Sequence, residues 1–245
     1  MIPAARESFA AAIRRQRLPY DAEVEWISAN PTAVNTGIYG INTLVVPSQQ
    51  TYMRLRIMRF SAPSGIGKHG LNGGGGANGR CAIGVGLDRL YFGLANINKD
   101  ITGVSPAGRI CEMTLDMASG RVSWAFDGAA PTVQTISHNA YSTTSQLFLF
   151  CALSNLAEQF PGRLYSAEIR DAGQLVRDYV PVRIMNEQGV SEGALYDRVT
   201  GRLFRNASTG TFAFGTDVAG GGYRWLSYCS LSSCSFSTRL WKEAA

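Results

Sequence analysis

The stretch SGIGKHGLNGGGGANGR, residues 64–80, sets a lysine among glycines, as loops that cradle phosphate do. Such a loop reads G-x-x-x-x-G-K-[ST] between a strand and a helix, so that backbone N–H groups, the lysine and a magnesium-binding hydroxyl converge on the phosphates. Counting back from Gly67 and Lys68 puts Ala62 at the first glycine position, and His69 stands where the hydroxyl belongs. No helix pattern follows, because each glycine of the run at 73–76 would cost about 1 kcal/mol relative to alanine. The phosphate reading fails. The segment reads instead as a long connection between strands at 51–60 and 81–93. Connections of that length are tolerated insertions or partner surfaces. As a partner surface, this one offers Lys68, His69, Asn72, Asn78 and Arg80 as polar contacts, and its glycines let the backbone approach closely.

The other residues able to do chemistry are sparse. The two histidines, His69 and His138, are far apart and give a zinc site little support. No G-x-S-x-G elbow accompanies them. Calcium needs clustered oxygen ligands, and no spacing brings Asp88, Asp100 and Asp127 together, so no cofactor is expected. Cys81, Cys111 and Cys151 lie in apolar strand-like runs, where a free thiol behaves as a small hydrophobe. Cys229 and Cys234 are close enough in the serine-rich tail to pair. Trp26, Tyr91 and Trp124 either stack on sugar rings or belong to the core. Basic residues number 23 against 18 acidic ones, and 20 of the 23 are arginine. Apart from RRQR at 14–17 they are scattered, whereas a nucleic-acid binder concentrates such charge in a stripe. Nucleic acid is not an expected partner.

These residues must be positioned mostly by strands. Residues 3–17 form the one convincing helix pattern, with Phe9 and Ile13 at i,i+4 and Pro19 ending it. From residue 24 the pattern turns to short apolar or alternating runs bounded by Gly, Asn, Asp, Ser or Pro. TYMRLRIMRF at 51–60 sets Tyr52, Arg54 and Arg56 against Met53, Leu55 and Ile57. Runs at 82–97, 108–117, 120–128, 132–137, 145–154, 162–170 and 174–183 follow. Eight or more such strands with almost no helix between them imply antiparallel sheets packed as a sandwich or jelly roll. No apolar run reaches the roughly 18 residues of a membrane span, and the N-terminus lacks the apolar centre of a secretory signal.

Two regions go further. VEWISANPTAVNTGI (24–38) and GRLYSAEIRDAGQLVRDYVPVR (162–183), running on to GALYDRVTGRLFRNASTGTFAFG (193–215), resemble the LamG-like, concanavalin A-type jelly-roll domains of phage structural proteins and bacterial surface proteins. The resemblance implies an all-β, two-sheet antiparallel jelly-roll sandwich over 21–217. A helical appendage at 1–20 and an extension at 218–245 flank it. The closing segment reads as a hairpin turning at DAGQ, with Leu164, Tyr165, Ile169, Leu175, Val176 and Tyr179 available to the core. A second hairpin turns at VTG, with Asp197, Asn206 and Gly210 as turn residues. Related jelly rolls that hydrolyse β-glucans carry E-x-D-x-x-E or E-x-D-x-E on one strand. The nearest acidic pairs here, Glu112/Asp116 and Glu168/Asp171, lack that spacing, so no enzyme is expected.

The expected function is that of a phage virion part, a tail fibre, head fibre or capsid decoration, reached without export. The alternative is a glycan-binding adhesin module on a bacterial surface. The expected partners are other virion proteins, copies of itself (as a trimer) and a host surface glycan. Phe9, Ile13, Tyr223, Trp225 and Trp241 are the assembly residues this reading points to, because an aromatic tail left exposed would be adhesive.

Overall fold

The computed structural model of the chain describes residues 18–29, 39–61, 71–73, 79–151 and 160–218. Among them are seventeen strands and no helix. The first are β1 (Ala22–Glu23), β2 (Ile27–Ser28), β3 (Ile41–Asn42), β4 (Thr51–Arg59) and β5 (Leu71–Gly73). Then come β6 (Arg80–Val85), β7 (Arg89–Ala95), β8 (Ile97–Thr102), β9 (Ile110–Asp116), β10 (Arg121–Phe126) and β11 (Thr132–Thr135). The last are β12 (Leu147–Leu149), β13 (Gly162–Asp171), β14 (Gln174–Met185), β15 (Ser191–Asp197), β16 (Arg202–Phe204) and β17 (Ala213–Phe214).

They form two antiparallel sheets. The larger runs β11-β10-β9-β4-β13-β14-β15-β16, with β1 on β14 and β2 bridging β13 and β17. The smaller runs β3-β12-β5-β6-β7-β8. Strand alternation sends every second side chain inward. On β4 these are Thr51, Met53, Leu55, Ile57 and Arg59, all buried. They share one core with Cys111, Met113 and Leu115 of β9 and with Ile83, Val85, Leu90, Phe92 and Leu94 of the smaller sheet. Each fully buried side chain of this size contributes about 1.5–3 kcal/mol. The sheets touch where Cys81 Sγ lies 3.8 Å from Met53 Sδ and where the Phe92 and Trp124 rings stand 6.2 Å apart. At the end of β4, Arg59 is also inside, donating to the Val85 carbonyl at 3.4 Å.

The closing hairpins take the form their sequence predicts. Ala172 and Gly173 make a two-residue turn between β13 and β14, with φ of 48° and 78°. Positive φ at both central residues is the type I′ geometry that matches strand twist. Asp197 anchors the next turn from a fully buried position. Its carboxylate accepts from the backbone N–H of Asp178 (3.0 Å) and Val199 (3.1 Å) and from the Thr200 hydroxyl (2.6 Å). Asn206 accepts from Gly40 N–H at 2.9 Å and donates to the Gly210 carbonyl at 2.6 Å.

Three expectations need correction. The run at 82–97 is not one strand: a turn at 86–88 and a break at Asn96 divide it among β6, β7 and the start of β8. The segment at 64–80 is not only a connection, since Leu71–Gly73 is a strand laddered to β6 and β12. Tyr165 and Leu175 do not enter the core. A bulge between Leu164 and Ser166 adds one residue to β13 and leaves Tyr165 on the outer face, and Leu175 is exposed beside the hairpin turn. The N-terminal helix pattern, with Phe9 and Ile13, and the tail bearing Tyr223, Trp225 and Trp241 lie outside the described residues.

Candidate functional site

The outer face of the larger sheet carries the described chemistry. With their odd-numbered neighbours fixed in the core, Arg54 and Arg56 of β4 must point away from it. Antiparallel register sets Arg56 between Glu112 of β9 and Ser166 of β13, and Arg54 between Thr114 and Glu168. One strand further on, Asp178 of β14 faces Glu168. Residues more than a hundred positions apart thus share two rows across four strands.

Ion pairs organise these rows. Glu112 lies opposite Arg56 but turns to Arg54, which reaches its Oε1 from Nη2 at 2.7 Å and from Nε at 3.0 Å. Arg170 donates to Glu168 from two positions along the same strand. At the turn after β10, Asp127 accepts from Arg109 Nε at 2.8 Å and from Ile110 N–H at 3.0 Å. The Arg109 guanidinium, hydrogen-bonded to it, holds the Asp127 carboxyl below the usual carboxylate range, with the Ile110 N–H assisting. Arg109 also lies 4.3 Å from the centre of the Phe126 ring.

Two concavities mark this face. One of about 820 Å³ is floored by Arg54, Arg56, Glu112, Glu168 and Asp178 and walled by the turn at 127–131. The other, about 510 Å³, is lined by Trp26, Glu25, Arg163, Tyr165 and Pro181 among others. Arg56 and Ile110 belong to both linings, so the two concavities adjoin along the sheet and together make up the groove. Its aromatic end is built from cation–π contacts. Arg56 sits 5.3 Å from the Tyr165 ring centre, and Arg163 sits 4.1 Å from that of Trp26 and 5.8 Å from that of Phe60.

The three aromatics expected to stack on sugars fall in three different places. Trp26 is in the groove wall, but Arg163 occupies its ring face. Its indole also fits so closely over Gly215 that a Cβ there would lie 2.8 Å from Nε1. Tyr91 is on the outer side of the smaller sheet and buried, its hydroxyl donating to Asn98 Oδ1 at 2.7 Å. Trp124 points between the sheets toward Phe92. Tyr91 and Trp124 therefore both lie outside the groove.

Of the expected loop contacts, Lys68, His69 and Asn78 lie outside the described residues. Asn72 is the middle residue of β5, and Arg80 opens β6, opposite Ala95. Both belong to the smaller sheet, away from the groove. The carboxylates weighed for calcium are engaged by arginines: Asp88 and Asp100 both meet Arg89, and Asp127 meets Arg109. Cys81, Cys111 and Cys151 are all buried. Burial pushes the Cys111 thiol up to about 12 and the Cys81 thiol higher still.

The groove residues that sequence reasoning missed are Arg163, Tyr165, Glu168 and Asp178. The one visible signal was the pair Arg54 and Arg56, two charges at period two inside an otherwise apolar strand. No family model matches the chain, and no curated protein matches it. Among solved structures it is similar to a native heptameric SAP-like pentraxin from Limulus polyphemus, with 14% identity, covering 60% of this chain and 76% of that one, at a TM-score of 0.42.

Proposed function

We propose that the protein is a non-enzymatic recognition component that binds a surface glycan along the outer groove of its larger sheet. The observation that carries this reading is the groove itself. Two adjoining concavities set arginines among carboxylates at one end and aromatic rings at the other. Carboxylates accept sugar hydroxyl groups, and guanidinium groups donate to sugar oxygens. Asp178, whose carboxylate has no partner among the described residues, is the acceptor in the groove floor.

The non-enzymatic part of this reading is supported by how the two groove glutamates are held. Glycoside hydrolysis needs a carboxylic acid set aside to protonate the leaving group, whereas Glu112 and Glu168 are each held by an arginine. The resemblance of residues 24–38 and 162–215 to LamG-like domains supports a place in a phage particle, as a tail fibre, head fibre or capsid-decoration subunit working as a homo-oligomer, with a trimer as the specific form. The same resemblance covers bacterial surface adhesins, and a longer gene encoding an export signal and an anchor would favour that alternative.

A glycan array probed with the full chain, beside the variant Arg54→Gln/Asp178→Asn, tests the groove. Selective binding that the variant loses is the expected result. A folded protein that binds nothing on the array, yet is found in particles, overturns the glycan reading in favour of a purely architectural part.

A further inference from the structure

We infer that the groove's ligand is an acidic saccharide, whose carboxylate or sulfate group is taken by Arg56 and Arg163. The inference rests on the reading of the groove as a glycan site and names the class of glycan. Three arginines line the two concavities. Arg54 is neutralised by Glu112. Arg56 and Arg163 have no carboxylate partner among the described residues, although both lie on a sheet face rich in carboxylates. They are held by rings instead, Arg56 by Tyr165 and Arg163 by Trp26 and Phe60. A ring orients a guanidinium without cancelling its charge.

The β13 bulge sets this arrangement. Arg163 precedes Tyr165 by two residues, and Ser166, the next residue, faces Arg56 across the ladder. The extra residue leaves Tyr165 on the same outer face as both cations, with its ring against Arg56. Arg163 Nε is buried without an acceptor, so the guanidinium is already stripped of water on that side. Two adjacent cations lacking a counter-ion repel, and an anion bridging them removes the repulsion while satisfying planar donors suited to carboxylate and sulfate oxygens.

The rest of the groove narrows the ligand to a saccharide with isolated charges. Of the carboxylates at this end, Glu23 is engaged by Arg198 at 2.9 Å and by the Tyr20 hydroxyl at 3.0 Å. Glu25 stands exposed at the rim, ready to accept hydroxyls. Beyond Arg56 the floor carries Glu112, Glu168 and Asp178. A polyanion such as nucleic acid, with a charge at every repeat, would meet those carboxylates. A sugar chain bearing one acidic group among hydroxyls would not.

The test is calorimetric titration of the full chain with trigalacturonic acid, its methyl ester, 3′-sulfated lactose and lactose. The acidic probes are expected to bind at least tenfold more tightly than their neutral counterparts, with the preference shrinking as salt rises. Trigalacturonic acid and sulfated lactose separate carboxylate from sulfate as the group preferred. Arg56→Gln, at an exposed position where folding is not at stake, should remove most of the preference. Arg163→Lys, which keeps the charge but loses the fork, should remove part of it. If acidic and neutral probes bind equally and Arg56→Gln changes nothing, the inference is overturned while the glycan groove stands. If no saccharide binds the folded chain, the glycan groove falls and the inference with it.

Discussion

On β4 the outward side chains are Tyr52, Arg54, Arg56 and Met58, all at least partly exposed, whereas on β6 and β7 the outward residues Ala82, Gly84, Tyr91 and Gly93 are all buried. The inward rows of the two sheets are alike, Met53, Leu55 and Ile57 against Ile83, Phe92 and Leu94. The outer faces therefore differ by choice of residue, not by packing of the core. Small residues let Tyr91 lie along its own strand over Gly93, with its hydroxyl reaching Asn98 on β8. That face is a closed floor. Long charged residues at period two leave the other face furrowed and open to a ligand. An apolar strand interrupted by alternating arginines presents a furrowed, charged surface, and one interrupted by glycine and alanine presents a packed one.

The sharpest way to break this contrast is on β4 itself. Leu55→Ala, at a position with 0% exposure, should cost about 2–5 kcal/mol in urea unfolding. Arg54→Gln and Arg56→Gln, on the opposite face of the same strand, should change stability by no more than about 0.5 kcal/mol. An arginine replacement as costly as the leucine one would mean that the groove face is structural. On the smaller sheet, Gly93→Val would press its Cβ to 3.1 Å from both Ala82 Cβ and the Tyr91 hydroxyl. We expect a loss of about 1–3 kcal/mol from overpacking. A neutral outcome would show that the floor is loose.

The shared core can be read by pH. Cys111 is buried on the larger sheet, and burial raises its thiol from 9.0 to about 12. Below pH 9.0 the thiol is neutral in both states and stability is complete. Between 9.0 and about 12 the unfolded chain gives up the proton first, so stability should fall as pH rises. The decline should reach about 1 kcal/mol by pH 10 and be shallower in Cys111→Ala; an identical decline in the variant would break the assignment. A modest effect is expected at Tyr91→Phe, which loses one hydrogen bond to Asn98, a change of about 0.5–1.5 kcal/mol. Thermal unfolding of that variant measures how much the hydroxyl fixes the ring over Gly93.

Much of the architecture was legible because strand alternation is a local signal. Arg54 and Arg56 were already set apart from Met53, Leu55 and Ile57, and the DAGQ and VTG turns fell where the sequence marked them. What was not legible depended on strand order and on single insertions. Glu112, Glu168 and Asp178 become neighbours of Arg54 and Arg56 only because β9, β4, β13 and β14 are adjacent in the sheet, which no spacing along the chain reveals. Tyr165 reads as a core residue by period two, and one bulge reverses it. Tyr91 and Trp124 look alike as strand aromatics, yet one lies across an outer face and the other lies between the sheets. Nothing local distinguishes them.

The sheet order also has a consequence for how the molecule is made. Among the described residues, β1 pairs with β14 alone, and β2 with β13 and β17. β4, near the middle of the larger sheet, takes one of its two neighbours from β13. The first strands to leave a ribosome thus wait for partners encoded beyond residue 160. Until then β4 exposes a nine-residue edge, the kind of edge that recruits other chains. Completion of the larger sheet is therefore a late event, governed by long-range pairing and slow for that reason, and a nascent chain stopped before its closing hairpin can pair β4, β9, β10 and β11 but lacks the strands that β1 and β2 join.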